Sequence, residues 1–258
     1  MKKELGIALG SGSMRGFAHL GVLKVLEENG IPISCIAGSS MGAVIGGIYA
    51  CGTDLDMLEK IVPNLVFKDY MDMVIPKRGG FLKGEKFKEL ISLFTKGYDF
   101  SQTKIPFCCV AVDLNAGELV EMKEGKLIDA IRASMAIPGV FEPFEMEDGR
   151  VLVDGGTISR VPSQTARAMG AEVVIGIDVG YRGGKMSEGP KSWMDFIRRG
   201  IDIQSWTAAQ AHEKDADLII APDVYDHDPT SFDDFEKCVD AGKKAAEEAL
   251  PVIQKLLS

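Results

Sequence analysis

No disulfide framework can be drawn through this sequence. Its five cysteines, Cys35, Cys51, Cys108, Cys109 and Cys238, are odd in number among 258 residues. They include no CxxC and no Cys/His pair at zinc-like spacing. Several lie inside apolar runs, where a free thiol behaves as a small hydrophobe, so reduced core cysteines of a cytoplasmic protein are expected. An excess of basic residues is missing too. The balance is 29 Lys+Arg against 38 Asp+Glu, a net charge of −9. That disfavours a nucleic-acid partner and strong electrostatic attraction to anionic membranes. No run approaches the ~20 apolar residues of a membrane span. The opening MKKELGIALGSG reaches glycine after too short an apolar stretch for a signal peptide. There is no repeat, low-complexity tract or linker, and a single domain over residues 1–258 is expected. If such a chain meets lipid, it does so from the water side.

What is present is an alternation of short apolar runs and amphipathic stretches. LGIAL (5–9), ISCIA (33–37), IPFCCVAVDL (105–114), ELVEM (118–122), VLVD (151–154), EVVIGIDV (172–179) and DLIIAP (217–222) carry strand signals. Helices are expected at 17–29 and 40–50, and at 232–257, where Pro251 is expected to kink the last helix. This βαβ rhythm predicts a three-layer α/β/α fold with a mainly parallel central sheet. Residues 53–98 break the rhythm with no convincing strand and a methionine-containing stretch around Met71, Met73 and Phe81. The favoured expectation is a helical insertion packing its own small core. The alternative is a lid that presents soft apolar groups to an acyl chain.

Two glycine-rich junctions carry the chemistry. In IAGSSMGAVIGG (36–47), Gly38-Ser39-Ser40-Met41-Gly42 matches GxSxG, the nucleophile-elbow pattern, between a strand and an apolar helix. Flanking glycines remove Cβ atoms that would clash in so sharp a turn, and the helix N-terminus favours negative charge developing near the Ser40 hydroxyl. The second junction, GSGSMRGFAHLGVL (10–23), follows the first strand. It is not a Rossmann fingerprint, because the sixth position from Gly10 is Arg15 and no carboxylate ends the next strand; nor does a GK[ST] make it a P-loop. It offers successive N–H groups near a helix start, the makings of an oxyanion hole. In a parallel sheet both junctions lie at one carboxyl edge.

A serine nucleophile needs a base. His19 sits in the helix after the first junction, where a packed role is expected, and His212 and His227 fall in the polar segments AAQAHEKDAD and VYDHDPT. Asp154 in VLVDGGTISRVP is better placed, at the end of an apolar strand, with Gly155 and Gly156 giving backbone access and Pro162 at a helix start. A lone DGG would ordinarily be a turn cap; beside the other two junctions the functional reading is preferred.

GSGSMRGFAHLGVL, GSSMG and DGG, in this order, resemble the patatin-like phospholipase family, in particular its compact bacterial members and the neuropathy target esterase catalytic domain. RASMAIPGVFEP (132–143) and VAVDLNAGE (110–118) look like further stretches of it. The resemblance runs from about Leu5 to at least Pro222. It implies that Ser40 is the nucleophile and Asp154 its direct partner in a Ser-Asp dyad. The backbone amides of Gly12 and Ser13 would form the oxyanion hole, and Arg15 would match the family's basic residue in that turn. The family's turn usually reads Gly-Gly-Gly-x-Arg/Lys-Gly, whereas here Ser11-Gly12-Ser13-Met14-Arg15-Gly16 has serine at two glycine positions. Serine can serve if its backbone avoids φ values open mainly to glycine. The activity implied is hydrolysis of a lipid or acyl ester, of phospholipase A, lysophospholipase or carboxylesterase type, through a covalent acyl-enzyme. It needs no metal and no cofactor; transient contact with a membrane surface is an expectation placed on the Met71–Phe81 segment. Partial burial of Asp154 would raise its pKa and make it a better base. Two rivals stay open: an α/β-hydrolase with a Ser40-Asp-His triad, and a non-catalytic member that uses the crevice for lipid or protein binding.

Overall fold

The protein is described by a computed structural model covering residues 3–76, 79–184, 189–190, 192–211, 213–228 and 232–258. Eight strands form one sheet: β1 (Leu5–Leu9), β2 (Cys35–Ser39), β3 (Phe107–Asp113), β4 (Glu118–Met122), β5 (Phe144–Glu145), β6 (Val151–Asp154), β7 (Val173–Ile177) and β8 (Leu218–Ile220). The helices are α1 (Ala18–Glu28), α2 (Met41–Ala50), α3 (Leu55–Ile61), α4 (Glu85–Phe94), α5 (Leu127–Ser134), α6 (Ser163–Ala168), α7 (Trp193–Gln210) and α8 (Phe235–Leu257). The strand order is β5-β6-β3-β2-β1-β7-β8, with β4 also paired to β3. Strands β3, β2, β1, β7 and β8 run parallel, whereas β4 and β6 are antiparallel to β3.

Residue size along the parallel strands decides how the layers pack. The period of two sends Leu5, Ile7 and Leu9 of β1, and Val173, Ile175 and Ile177 of β7, into the large core shared with α1, α2 and α8. The other face carries small residues, Ala8, Cys35, Ala37 and Val174, against Ala166 and Ala171. Small side chains let the short α6 sit close to the sheet. With both faces covered, the strands read as continuous apolar runs.

The register around β3 determines the site. Val110 pairs with Ser39 of β2 and with Glu121 of β4; Ala111 pairs with Val120 of β4 and with Asp154 of β6. A strand has two edges, so β4 occupies one of them. Strands β2 and β6 therefore lie end to end along the other, their carboxyl ends meeting between Val110 and Ala111.

Several sequence-based boundaries shift. Strand β2 begins at Cys35 rather than Ile33, because Ser34 bonds Leu5 O through both its amide and its hydroxyl at the turn. A 3-10 turn over Ser13–Phe17 precedes α1. Pro251 lies within the span of α8. The segment 53–98 holds α3, α4 and isolated bridges, one of them joining Met73 to Leu82. It does not build a core of its own: Leu55, Leu58 and Ile91 enter the main core. Helix α7 has no counterpart among the elements expected from sequence. Its face is mixed, with Phe196, Ile197, Ile201 and Ile203 exposed, so the apolar periodicity is masked by charge. Among the described residues, no helix is long and apolar enough to cross a membrane.

Candidate active site

Ser40 stands between β2 and α2 with φ 55 and ψ −121, one of three non-glycine residues at positive φ among the described residues. That conformation costs on the order of 1–3 kcal/mol and is over-determined by its surroundings. The Ser40 carbonyl accepts the amides of Ala43 (2.9 Å) and Val44 (3.1 Å) as α2 starts. At Gly42 a Cβ would stand 2.1 Å from Leu9 O, and at Gly38 it would stand 2.6 Å from Ala43 Cα. The glycines of GxSxG are thus demanded by close backbone approach.

The Ser40 hydroxyl donates to Asp154 Oδ2 at 2.6 Å, and Asp154 Oδ1 accepts the Gly156 amide at 2.7 Å. Both side chains are buried, Ser40 at 4% and Asp154 at 6% exposure. Burial pushes the Asp154 carboxyl up from 3.8 to about 6, against the lowering effect of the bonds from Ser40 and Gly156. The carboxylate is thereby ionised near neutral pH yet basic enough to take a proton.

The glycine-rich turn lies beside this pair, since β1 and β2 are parallel neighbours. Its first amides are engaged: Gly10 N–H donates to Ile177 O and Ser11 N–H to Arg160 O. Among the described residues, the Gly12 and Ser13 amides have no backbone acceptor. Gly12 is extended (φ 174), and a Cβ there would meet Val179 Cγ2 at 2.6 Å. Ser13 adopts φ 51. The condition set by the sequence, that serine should avoid backbone values favouring glycine, is therefore not met at this position. Arg15 turns elsewhere: buried at 4% exposure, its Nε donates to His227 O at 3.0 Å.

Ser40 opens onto an apolar cleft whose empty space, open mouth included, is about 580 Å³. Its walls include Met14, Val44, Tyr70, Phe87, Met135 and Phe232, with Ser13 the polar neighbour of Ser40. Among the described residues, no charged side chain lines it. A second hollow, around the buried Arg160–Asp178 ion pair, contains neither Ser40 nor Asp154. His19 is wholly buried, its Nε2 2.8 Å from Gly10 O, and burial holds its pKa down to about 4. The His227 ring pairs through Nδ1 with Asp234 at 3.1 Å. His212 lies outside the described residues.

Sequence reasoning missed Ser134, whose Oγ accepts the Ser40 amide at 2.9 Å. It stands in the RASMAIPG stretch, singled out only as a resemblance. It also missed the cleft walls, contributed by separate segments whose meeting no local pattern encodes.

A parallel α/β sheet with a serine elbow and a buried carboxyl at its carboxyl edge defines a class of hydrolase-like folds. The family model described as "Patatin-like phospholipase" matches residues 7–167. An uncharacterized NTE family protein of Mycobacterium tuberculosis is 40% identical over 178 residues, 68% of this chain and 49% of that protein. Patatin-like phospholipase domain-containing protein 6 of Homo sapiens is 33% identical over 183 residues, 68% of this chain but 13% of that protein. The chain belongs to the patatin-like phospholipase family. It matches about half of the mycobacterial relative's length. Among solved structures, VipD from Legionella pneumophila superposes with a TM-score of 0.69 at 12% identity, over 97% of this chain and 67% of that one. The type III effector ExoU superposes with a TM-score of 0.52 at 11% identity, over 100% of this chain and 54% of that one. At these identities the likeness is one of fold.

Proposed function

We propose that this chain is a serine acyl hydrolase acting on lipid or acyl esters with Ser40 and Asp154 as a catalytic dyad. The observation that carries the reading is the 2.6 Å bond from Ser40 Oγ to Asp154 Oδ2 at the floor of an uncharged apolar cleft. An acyl chain lies along the cleft walls and presents its ester carbonyl to Ser40. Asp154 accepts the hydroxyl proton as Oγ attacks, and the Gly12 and Ser13 amides stabilise the oxyanion. Asp154 returns the proton to the leaving alcohol; it then activates the water that releases the acyl group. The scheme requires no metal and no organic cofactor. Arg15 supports the turn through His227 O rather than facing the oxyanion. The rings of His19 and His227 are engaged with Gly10 O and Asp234, which speaks against a histidine base. The exposed apolar groups of residues 71–81 flank the cleft and are assigned to transient contact with a membrane surface. This domain is proposed to work in the cytoplasm.

The test is a fluorophosphonate probe together with acyl esters and lysophospholipids of graded chain length. Stoichiometric labelling, lost in Ser40→Ala and competed by the esters that are turned over, is expected. A folded protein that neither labels nor hydrolyses any ester would leave the crevice as a binding site only.

A further inference from the structure

Ser40 has a backbone group that its own strand does not accommodate. The last β2–β3 pair is Ser39 with Val110, and the elbow at φ 55 carries the buried Ser40 amide past the end of that ladder. A buried amide without an acceptor is destabilising. Its acceptor is Ser134 Oγ, 2.9 Å away at the last residue of α5. Ser134 Oγ in turn donates to Val110 O at 2.6 Å. A carbonyl can only accept, so the single hydroxyl proton of Ser134 is committed to Val110 and its lone pairs face Ser40. A buried helical serine commonly returns its proton to a carbonyl of its own helix; here the proton crosses to β3.

Two residues further on, the Ala136 carbonyl accepts the Asp154 amide at 2.9 Å. One short segment thus holds the backbone of both members of the pair, where β2 and β6 meet head to head. The crowding is tight on the β6 side as well: a Cβ at Gly155 would stand 2.3 Å from Val110 O, the same carbonyl that Ser134 engages.

We infer that residues 134–136 form a brace that sets the spacing of Ser40 and Asp154, with Ser134 the positioning residue for the nucleophile. The inference rests on the acyl-hydrolase reading above. Ser134 is fully buried and is not among the residues lining the cleft, so its influence runs through the Ser40 backbone. Removing its hydroxyl leaves the Ser40 amide without an acceptor and frees the elbow to relax, which lengthens the Ser40–Asp154 bond.

The test compares Ser134→Ala with Ser134→Cys, which keeps the size of the side chain but is a weaker acceptor. A misplacement of about 1 Å can cost about 100-fold in rate. Ser134→Ala should therefore label with a fluorophosphonate about 10- to 100-fold more slowly, yet to full stoichiometry, with KM for a short ester within about twofold of the parent. The acid limb of kcat/KM should move to higher pH, because the Ser40 bond lowers the Asp154 pKa. Ser134→Cys should fall between and serves if the alanine variant does not fold. Reduced stoichiometry with an unchanged rate for the folded fraction would mean that Ser134 only stabilises the fold, and the inference is then overturned. If the parent itself neither labels nor hydrolyses, the hydrolase reading fails, and hydrogen exchange at the Ser40 amide tests the brace alone. Faster exchange in Ser134→Cys supports it; unchanged exchange overturns it.

Discussion

Ser39 of β2 and Asp154 of β6 pair with neighbouring residues of β3, Val110 and Ala111 respectively, although 115 positions of chain separate their numbers. That adjacency brings the Ser40 hydroxyl within 2.6 Å of Asp154 Oδ2 and makes the two residues separable by mutation.

Ser40→Ala removes the proposed nucleophile and should abolish both hydrolysis and probe labelling. Asp154→Asn preserves shape but cannot take a proton, and should lower kcat/KM by about 10²–10⁴-fold. Substituting His212 or His227 with Ala should leave turnover of a small ester within a few-fold of the parent. A folded histidine variant as inactive as Ser40→Ala would replace the dyad with a triad.

The pH dependence follows from Asp154. The proposed base must be ionised, so kcat/KM should rise through pH about 6 and then level off. Stability should move the other way. The folded state holds this proton up to about 6, against 3.8 for a free carboxyl, so the contribution is full below 3.8 and lost as pH rises through 6. His19 has the opposite sign: held down to about 4, it contributes above 6.5 and loses that contribution as pH falls through 4. Denaturant titration of parent against Asp154→Asn subtracts His19. The variant should gain relative to the parent between pH 4 and 7, by on the order of 2 kcal/mol. A difference that does not vary with pH would sink the assignment of an elevated Asp154.

Gly42→Ala places a methyl 2.1 Å from the Leu9 carbonyl, a backbone atom that cannot step aside. It should destabilise by at least about 1–3 kcal/mol, the usual range for overpacking, and slow probe labelling as the elbow shifts. Thermal unfolding and labelling rate read the two effects; a variant normal in both would show that the junction is looser than its contacts imply.

Met73 and Ile75 are 76% and 75% exposed beside a cleft that Met71 and Leu82 line. Burying such a side chain in lipid is worth about 1.5–3 kcal/mol. Met73→Ser and Ile75→Ser should each weaken liposome binding about tenfold, with hydrolysis of vesicle lipid falling in parallel and a short dissolved ester spared. Equal loss on both substrates would assign these side chains to folding instead.

The sequence made the elbow and the strand-end aspartate legible because each is a local event: a strand stops, glycines follow, and a polar residue is left at the tip. The parallel sheet was legible for the same reason, through runs such as LGIAL and EVVIGIDV. The brace was not, because Ser134 reads as an ordinary serine in a helix and acts only through an amide 94 positions away. Helix α7 was hidden by charges that interrupt its apolar positions. The segment 53–98 was expected to pack on itself, but the apolar faces of α3 and α4 had a larger core within reach.

Because β2 and β6 abut along one edge of β3, that strand acts as a measuring stick for the Ser40–Asp154 pair. Each residue of β3 advances about 3.3 Å and reverses its side. A single insertion between Val110 and Ala111 would both separate the Ser40 hydroxyl from the Asp154 carboxyl and turn one of them to the opposite layer, so chain length here is fixed to the residue. The hairpin over residues 114–117 lies beyond the stretch where the scale is read. Length changes are therefore affordable at that tip, and grafted sequence there should leave the distance between hydroxyl and carboxylate untouched.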